Sequence, residues 1–231
     1  MAKRIGILGG LTPESTVTYY QHIVHSWQRR HHDHRYPEIV VFSVSFQQFE
    51  DWMEAGEWEA IAEALSGGIG RLAAAGADFA AMATNTMHLL FDRLQAASPI
   101  PLLSIVDVTA HAIREAGLTT IGLLGTRFTM EKPFYAEGLA RHGIATLVPG
   151  RAERDDIHRV IMDELSTGVL REASRARYLE IIDGLVARGA EGVVLGCTEI
   201  PLLITPQHTR VPLFDTAVLH AEAALALASS G

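Results

Sequence analysis

Arg4-Ile5-Gly6-Ile7-Leu8-Gly9-Gly10 is an apolar run closed by a glycine pair, the pattern of a fully buried strand ending in a turn. Pro13 follows where a helix can begin, with Glu14 in its first turn. The pattern continues outward from this stretch. Strand-like runs fall at 39–44, 79–83, 101–104, 121–125, 145–148, 192–195 and 211–214. Amphipathic helical stretches lie between most of them, among them 58–75, 157–166 and 173–188. Continuous apolar strands alternating with helices imply an α/β fold with a mainly parallel sheet covered on both faces.

The opening stretch has a counterpart. Thr120-Ile121-Gly122-Leu123-Leu124-Gly125-Thr126 repeats it at an offset of about 116 residues. Each copy is followed by a polar turn and then by aromatics in the next helix, Tyr19 and Tyr20 after the first, Phe134 and Tyr135 after the second. A second landmark has nearly the same spacing. Met82-Ala83-Thr84-Asn85-Thr86-Met87-His88 and Leu195-Gly196-Cys197-Thr198-Glu199-Ile200 both follow apolar runs, with Thr84 and Cys197 at matching places. Two landmarks at one offset predict two similar lobes, residues 1–100 with 210–231 and residues 101–209. In open α/β sheets ligands bind beyond the carboxyl ends of strands. The two tips are therefore expected to share a site in a cleft between the lobes. Their backbone N–H groups suit a carboxylate, and the side chains of Asn85, Thr86 and Thr198 add directional hydrogen bonds.

Composition narrows the chemistry. A chain of 231 residues that is 48% hydrophobic can bury a substantial core. A net charge of −8 disfavours nucleic acid, whose phosphates require clustered cations. No apolar run is long enough for a membrane span, and Met1-Ala2-Lys3-Arg4 leads straight into a strand-like segment, so a signal peptide is not expected. Cys197 is the single cysteine, so an internal disulfide is excluded and a reducing cytoplasm fits. Lysine occurs only at Lys3 and Lys132, neither in a place that suits a Schiff base to pyridoxal phosphate. Gly6-Ile7-Leu8-Gly9-Gly10 lacks the spacing of a dinucleotide-binding turn. His31, His32, Asp33 and His34 have the composition of a metal site, but beside Arg29, Arg30 and Arg35 they read as a solvated helix end. Trp52 and Trp58 read as packing residues near a helix entrance.

A lone buried cysteine is ordinarily an inert small hydrophobe. Cys197 differs in its setting: it stands at a strand tip after Gly196, beside hydroxyl and carboxylate residues and close to a helix start. Ile7-Leu8-Gly9-Gly10, Asn85-Thr86-Met87-His88 and Gly196-Cys197-Thr198-Glu199 together resemble the aspartate/glutamate racemase family. The resemblance extends over nearly the whole chain, including Leu124 to Met130 and Glu172 to Ala176.

That resemblance implies a cofactor-independent isomerase, free of metal and of pyridoxal phosphate, acting on a small acidic amino acid and assembled as a homodimer. In such enzymes two opposed residues, usually both cysteines, flank the substrate α-carbon. Carried over, Cys197 matches the second-lobe cysteine and Thr84 stands where the first is usual, a pairing found in one branch of the family. Asn85, Thr86 and Thr198 match substrate-binding positions. Leu11, Met53 and Glu199 join them, with Glu199 and His88 also open to a capping or packing role. Some members carry basic residues around Gln47 and Ser166, and this chain does not. Two alternatives remain: a single-cysteine decarboxylase or cis–trans isomerase of a dicarboxylate, and a relative that binds a dicarboxylate without turnover.

Overall fold

The computed structural model describes residues 2–230 and divides into two compact units, Met1–Ile105 with Ala217–Gly231, and Val106–Thr216. The first unit runs β1 (Ile5–Gly9), α1 (Pro13–His31), β2 (Ile39–Ser43), α2 (Phe46–Ala55), α3 (Trp58–Ala74) and β3 (Phe79–Met82). A 3-10 turn (Thr86–Leu90), α4 (Phe91–Ala97) and β4 (Leu102–Leu103) complete its first pass. Its sheet has the order β2-β1-β3-β4, and every pairing is parallel.

The chain then enters α5 (Ile105–Glu115) and builds the second unit: β5 (Thr120–Gly125), α6 (Arg127–Glu131), α7 (Pro133–Ala140), β6 (Ala145–Leu147) and α8 (Arg151–Asp163). Next come α9 (Glu172–Ala187), β7 (Gly192–Gly196), α10 (Ile200–Leu203) and β8 (Leu213–Asp215), and α11 (Thr216–Ser229) belongs almost wholly to the first unit. The second sheet has the order β6-β5-β7-β8, again all parallel. The two strand orders are the same, as the internal repeat implies.

Position in the sheet explains how each strand reads. β1, β3 and β7 are buried at every residue, because helices cover both faces of an inner parallel strand. β2 lies at an edge and is only partly buried. Of the repeated aromatics, Tyr19 on α1 and Tyr135 on α7 are both completely buried. Helix α3 turns Ile61, Leu65, Ile69 and Leu72 inward, the spacing of one helical face. They join Leu8, Phe49 and Met82 in one core, and Trp52 and Trp58 pack against its margin.

The structure draws the unit boundaries at 105/106 and 216/217, where the sequence reading placed them at 100/101 and 209/210. Hydrogen bonding is the reason. β4 pairs with β3 in the first sheet and β8 pairs with β7 in the second, and apolar strands this short carry no sequence signal of which sheet they extend. The histidine-rich segment caps α1. His32 adopts the left-handed conformation after the helix, His31 stacks on Trp27 at 4.0 Å, and Asp33 pairs with Arg35. Among the described residues no helix is long and apolar enough to cross a membrane.

Candidate active site

In each sheet the chain leaves the first strand toward one side and returns on the other, so the strand order reverses between β1 and β3 and between β5 and β7. The carboxyl ends flanking such a reversal form the ligand crevice of open α/β sheets. Thr84 lies just beyond β3 and Cys197 immediately beyond β7. Topology therefore singles out the same two tips as the sequence landmarks.

At the first tip the turn after β1 must be glycine. Gly10 has φ +86°, and a Cβ there would stand 2.2 Å from the Val44 carbonyl oxygen. The Gly10 N–H donates to Thr16 Oγ1 at 2.8 Å. The Ala83 N–H still donates to the Leu8 carbonyl at 2.9 Å, but the Thr84 N–H turns back to the Met82 carbonyl at 2.8 Å, and the strand ends. Ser15 Oγ lies 2.8 Å from the carbonyls of both Thr12 and Ala83. His88 Nδ1 lies 2.9 Å from the Thr84 carbonyl. Thr84, Asn85 and His88 are buried and Thr86 is half-buried. Leu11 is buried in the α3-side core, against which Met53 of α2 also packs.

The second tip is built differently. A Cβ on Gly196 would stand 2.8 Å from the Leu124 carbonyl oxygen, so only glycine lets β5 and β7 approach closely just before Cys197. Thr216 Oγ1 donates to the Leu195 carbonyl at 2.9 Å. The Cys197 thiol donates to Glu199 Oε2 at 2.9 Å, and Thr198 Oγ1 donates to the same oxygen at 2.8 Å. Glu199 is buried, as is Cys197, whose side chain packs in the same core as Tyr178, Leu195 and Ile200.

Burial pushes the Cys197 thiol well above its ordinary pKa, and the Glu199 carboxylate pushes it further. Hydrogen bonds from the Thr198 and Glu199 backbone N–H groups act in the opposite direction without overcoming these. A neighbourhood that ionises the thiol at rest, the simplest expectation for a cysteine base, is therefore not what the structure contains. The resting group is a protonated thiol aimed at a carboxylate. Glu199 accordingly faces Cys197 and Thr198 in this structure, although the sequence grouped it with the substrate-binding positions.

Sequence reading singled out Thr84, Asn85, Thr86 and His88 at one tip and Cys197, Thr198 and Glu199 at the other, and the structure gathers each set locally. It missed the groups that fix the tips. Ser15 and Thr216 hold the two strand ends by their hydroxyls, and His220, bonded to Tyr19, meets the His88 ring edge-on. Only the Ser-Thr pair after Pro13 offered a local signal; His220 is joined to Tyr19 across a span of 201 residues. Gln47 is exposed and bonded to Asp51, and Ser166 is half-buried on the short turn after α8.

A model of the family described as Asp/Glu/Hydantoin racemase matches residues 8–224. Among solved structures, a candidate Asp/Glu racemase from Yersinia pestis superposes with a TM-score of 0.93, at 40% identity over 99% of this chain and 100% of that one. An aspartate racemase homologue from Pyrococcus horikoshii OT3 gives a TM-score of 0.88, at 36% identity over 99% and 100% of the two chains. The broad specificity amino-acid racemase RacX of Bacillus subtilis is 21% identical over 92% of each chain.

Proposed function

The chain belongs to the Asp/Glu/Hydantoin racemase family, and we propose that it racemises acidic amino acids without a cofactor, with Cys197 and Thr84 serving opposite faces of the substrate α-carbon. The chain is an amino-acid racemase. The observation that carries it is the Cys197 thiol at the tip of an inner strand, hydrogen-bonded to the buried Glu199 carboxylate at 2.9 Å.

In the proposed reaction the thiol proton passes to Glu199 as substrate binds. That transfer removes the neighbouring negative charge, and the Thr198 and Glu199 N–H groups then hold the thiolate. The thiolate takes the α-proton and the C–H electron pair stays on carbon. N–H donors facing the substrate carboxylate stabilise the carbanion, as at other sites of developing charge. The Thr84 hydroxyl gives its proton to the opposite face and recovers one from solvent, while Cys197 passes the α-proton to solvent and takes its own proton back from Glu199. Asn85, Thr86 and Thr198 bind the substrate, and Leu11 and Met53 shape its apolar side. Lys3 and Lys132, on the segment before β1 and between α6 and α7, are poorly placed for a Schiff base, which supports chemistry without pyridoxal phosphate. We take the enzyme to work as a homodimer in the reducing cytoplasm, where Cys197 stays a thiol.

Enantiomers have equal free energy in water, so kcat/KM is the same in both directions whatever the asymmetry of the pair. The imbalance between thiol and hydroxyl emerges instead in kcat and in solvent exchange. Incubation with L-aspartate or L-glutamate in heavy water is expected to yield deuterated product of the opposite hand. Amino acids left protiated and unchanged would reject the reading in favour of a dicarboxylate decarboxylase, an isomerase or a binding protein.

A further inference from the structure

Among the described residues the hydrogen bonds of Thr84 run through its backbone, so its aim depends on the backbone that carries it. The N–H of Thr84 is fixed to Met82 within the turn. Its carbonyl is fixed by His88, and the ring has one possible tautomer. The Ile105 N–H donates to His88 Nε2 at 3.1 Å, so that nitrogen carries no proton. The ring proton is therefore on Nδ1, which donates to the Thr84 carbonyl at 2.9 Å. Protonating both nitrogens would set two donors against each other at Ile105.

The ring is also held on its faces. Phe91 lies parallel to it at 5.3 Å, and His220 meets it edge-on at 5.9 Å. His220 is committed in the same way: the Tyr19 hydroxyl donates to Nδ1 at 2.7 Å, and Nε2–H donates to the Leu103 carbonyl at 3.0 Å. Both histidines are buried. Packing alone would be met by apolar rings at lower desolvation cost; two imidazoles with every nitrogen matched specify direction as well as volume.

We propose that His88 is a positioning residue for Thr84: its Nδ1–H fixes the Thr84 carbonyl, and with it the direction of the threonine side chain, while Nε2 ties the ring to the backbone at Ile105. The inference rests on Thr84 serving one face of the substrate. It separates two hydrogen bonds that a packing role would not separate, because His88→Asn keeps an N–H donor near the Nδ1 position whereas His88→Gln keeps an acceptor near the Nε2 position.

The test follows aspartate and glutamate of each hand in heavy water, recording inversion and α-proton exchange without inversion separately. His88→Gln is expected to lower inversion about 10- to 100-fold, the scale set by small misplacements of a reacting group. Exchange without inversion, in the enantiomer whose α-proton faces Cys197, is expected to stay within about threefold of wild type, and KM to move little. His88→Asn is expected to retain inversion within about threefold of wild type. Equal loss of inversion and exchange in His88→Gln, or indistinguishable behaviour of the two variants, overturns the inference and leaves the racemase reading intact. If His88→Gln does not fold, His88→Asn decides alone, and loss of inversion there rejects the proposal. A wild-type enzyme that neither inverts nor exchanges either amino acid ends the racemase reading and this inference with it.

Discussion

The tips of β3 and β7 occupy equivalent places in sheets of the same strand order, yet they are stabilised by different means. At the β7 tip an acidic hydrogen, the Cys197 thiol, faces a carboxylate. At the β3 tip a hydroxyl sits on a backbone held by the neutral imidazole of His88. An acidic hydrogen beside a carboxylate thus marks one side, and a backbone held by a ring marks the other. A duplicated scaffold can supply two equivalent positions and still assign them unequal chemistry, because the tip side chain and its immediate neighbours set acidity while the strand order sets only location. In the proposed reaction the thiol is the stronger acid/base of the pair, and its raised pKa means that it needs a proton acceptor before it can act as a base.

The comparison can be broken most severely at Cys197. Cys197→Ala is expected to lower inversion and exchange together by at least about a thousandfold, measured as deuterium incorporation into either enantiomer. Retained exchange would remove the thiol from the mechanism.

Glu199→Gln tests the next link, leaving an acceptor opposite the thiol that cannot take its proton. A fall in kcat of about a hundredfold is expected. Glu199 raises the thiol pKa, so its replacement moves thiolate formation to lower pH, while burial, the larger cause, keeps the value above that of an ordinary cysteine. Ultraviolet absorbance of the thiolate across a pH titration reads the sign, and a shift to higher pH would contradict the assignment.

Thr84→Cys should make the two sides more alike. The ratio of exchange to inversion is expected to fall about tenfold as the second face gains a thiol, with higher kcat from the disfavoured enantiomer. No gain there would reverse or remove the assignment of faces.

The gentlest test probes the support under the β3 tip through stability. Burial holds His220 down at about 3. Below its ordinary value of 6.5 the unfolded chain binds a proton that the folded chain does not. The stabilisation is present above that value and is lost as pH falls toward 3. In His220→Gln the decline of unfolding free energy between these limits is expected to be shallower by about 1.4 kcal/mol per pH unit, one proton's worth. Denaturant unfolding at a series of pH values checks it, and an unchanged slope would mean that His220 is charged in the fold.

Much of the fold was legible because parallel strands buried on both faces leave continuous apolar runs and their turns leave glycines. Ile5 to Gly9, Thr120 to Gly125 and Gly192 to Gly196 are recognisable on that basis alone. The edges were less so: β4 is two residues long, and its place in the first sheet rests on pairing with Ala80 and Ala81. The tip residues were legible for a related reason. Thr84-Asn85-Thr86 and Cys197-Thr198-Glu199 each interrupt an apolar run with small polar groups just where a strand must end.

The ionisation state of the tips was not legible in this way. A cysteine beside a carboxylate reads equally well as a poised base or as a suppressed one, and only burial of the thiol among Tyr178, Leu195 and Ile200 decides for the protonated form. The ring tautomer of His88 likewise depends on the backbone N–H of Ile105, that of His220 on Tyr19 and Leu103, and the neutrality of His220 on its burial. The sequence by itself determined the periodicity, the duplication, the family and the two tips, because these follow from hydrophobic pattern and local residue type. Tertiary structure alone decided which groups are charged and where each proton resides, since desolvation and hydrogen bonding act between residues that are distant in the chain and neighbours only in the fold.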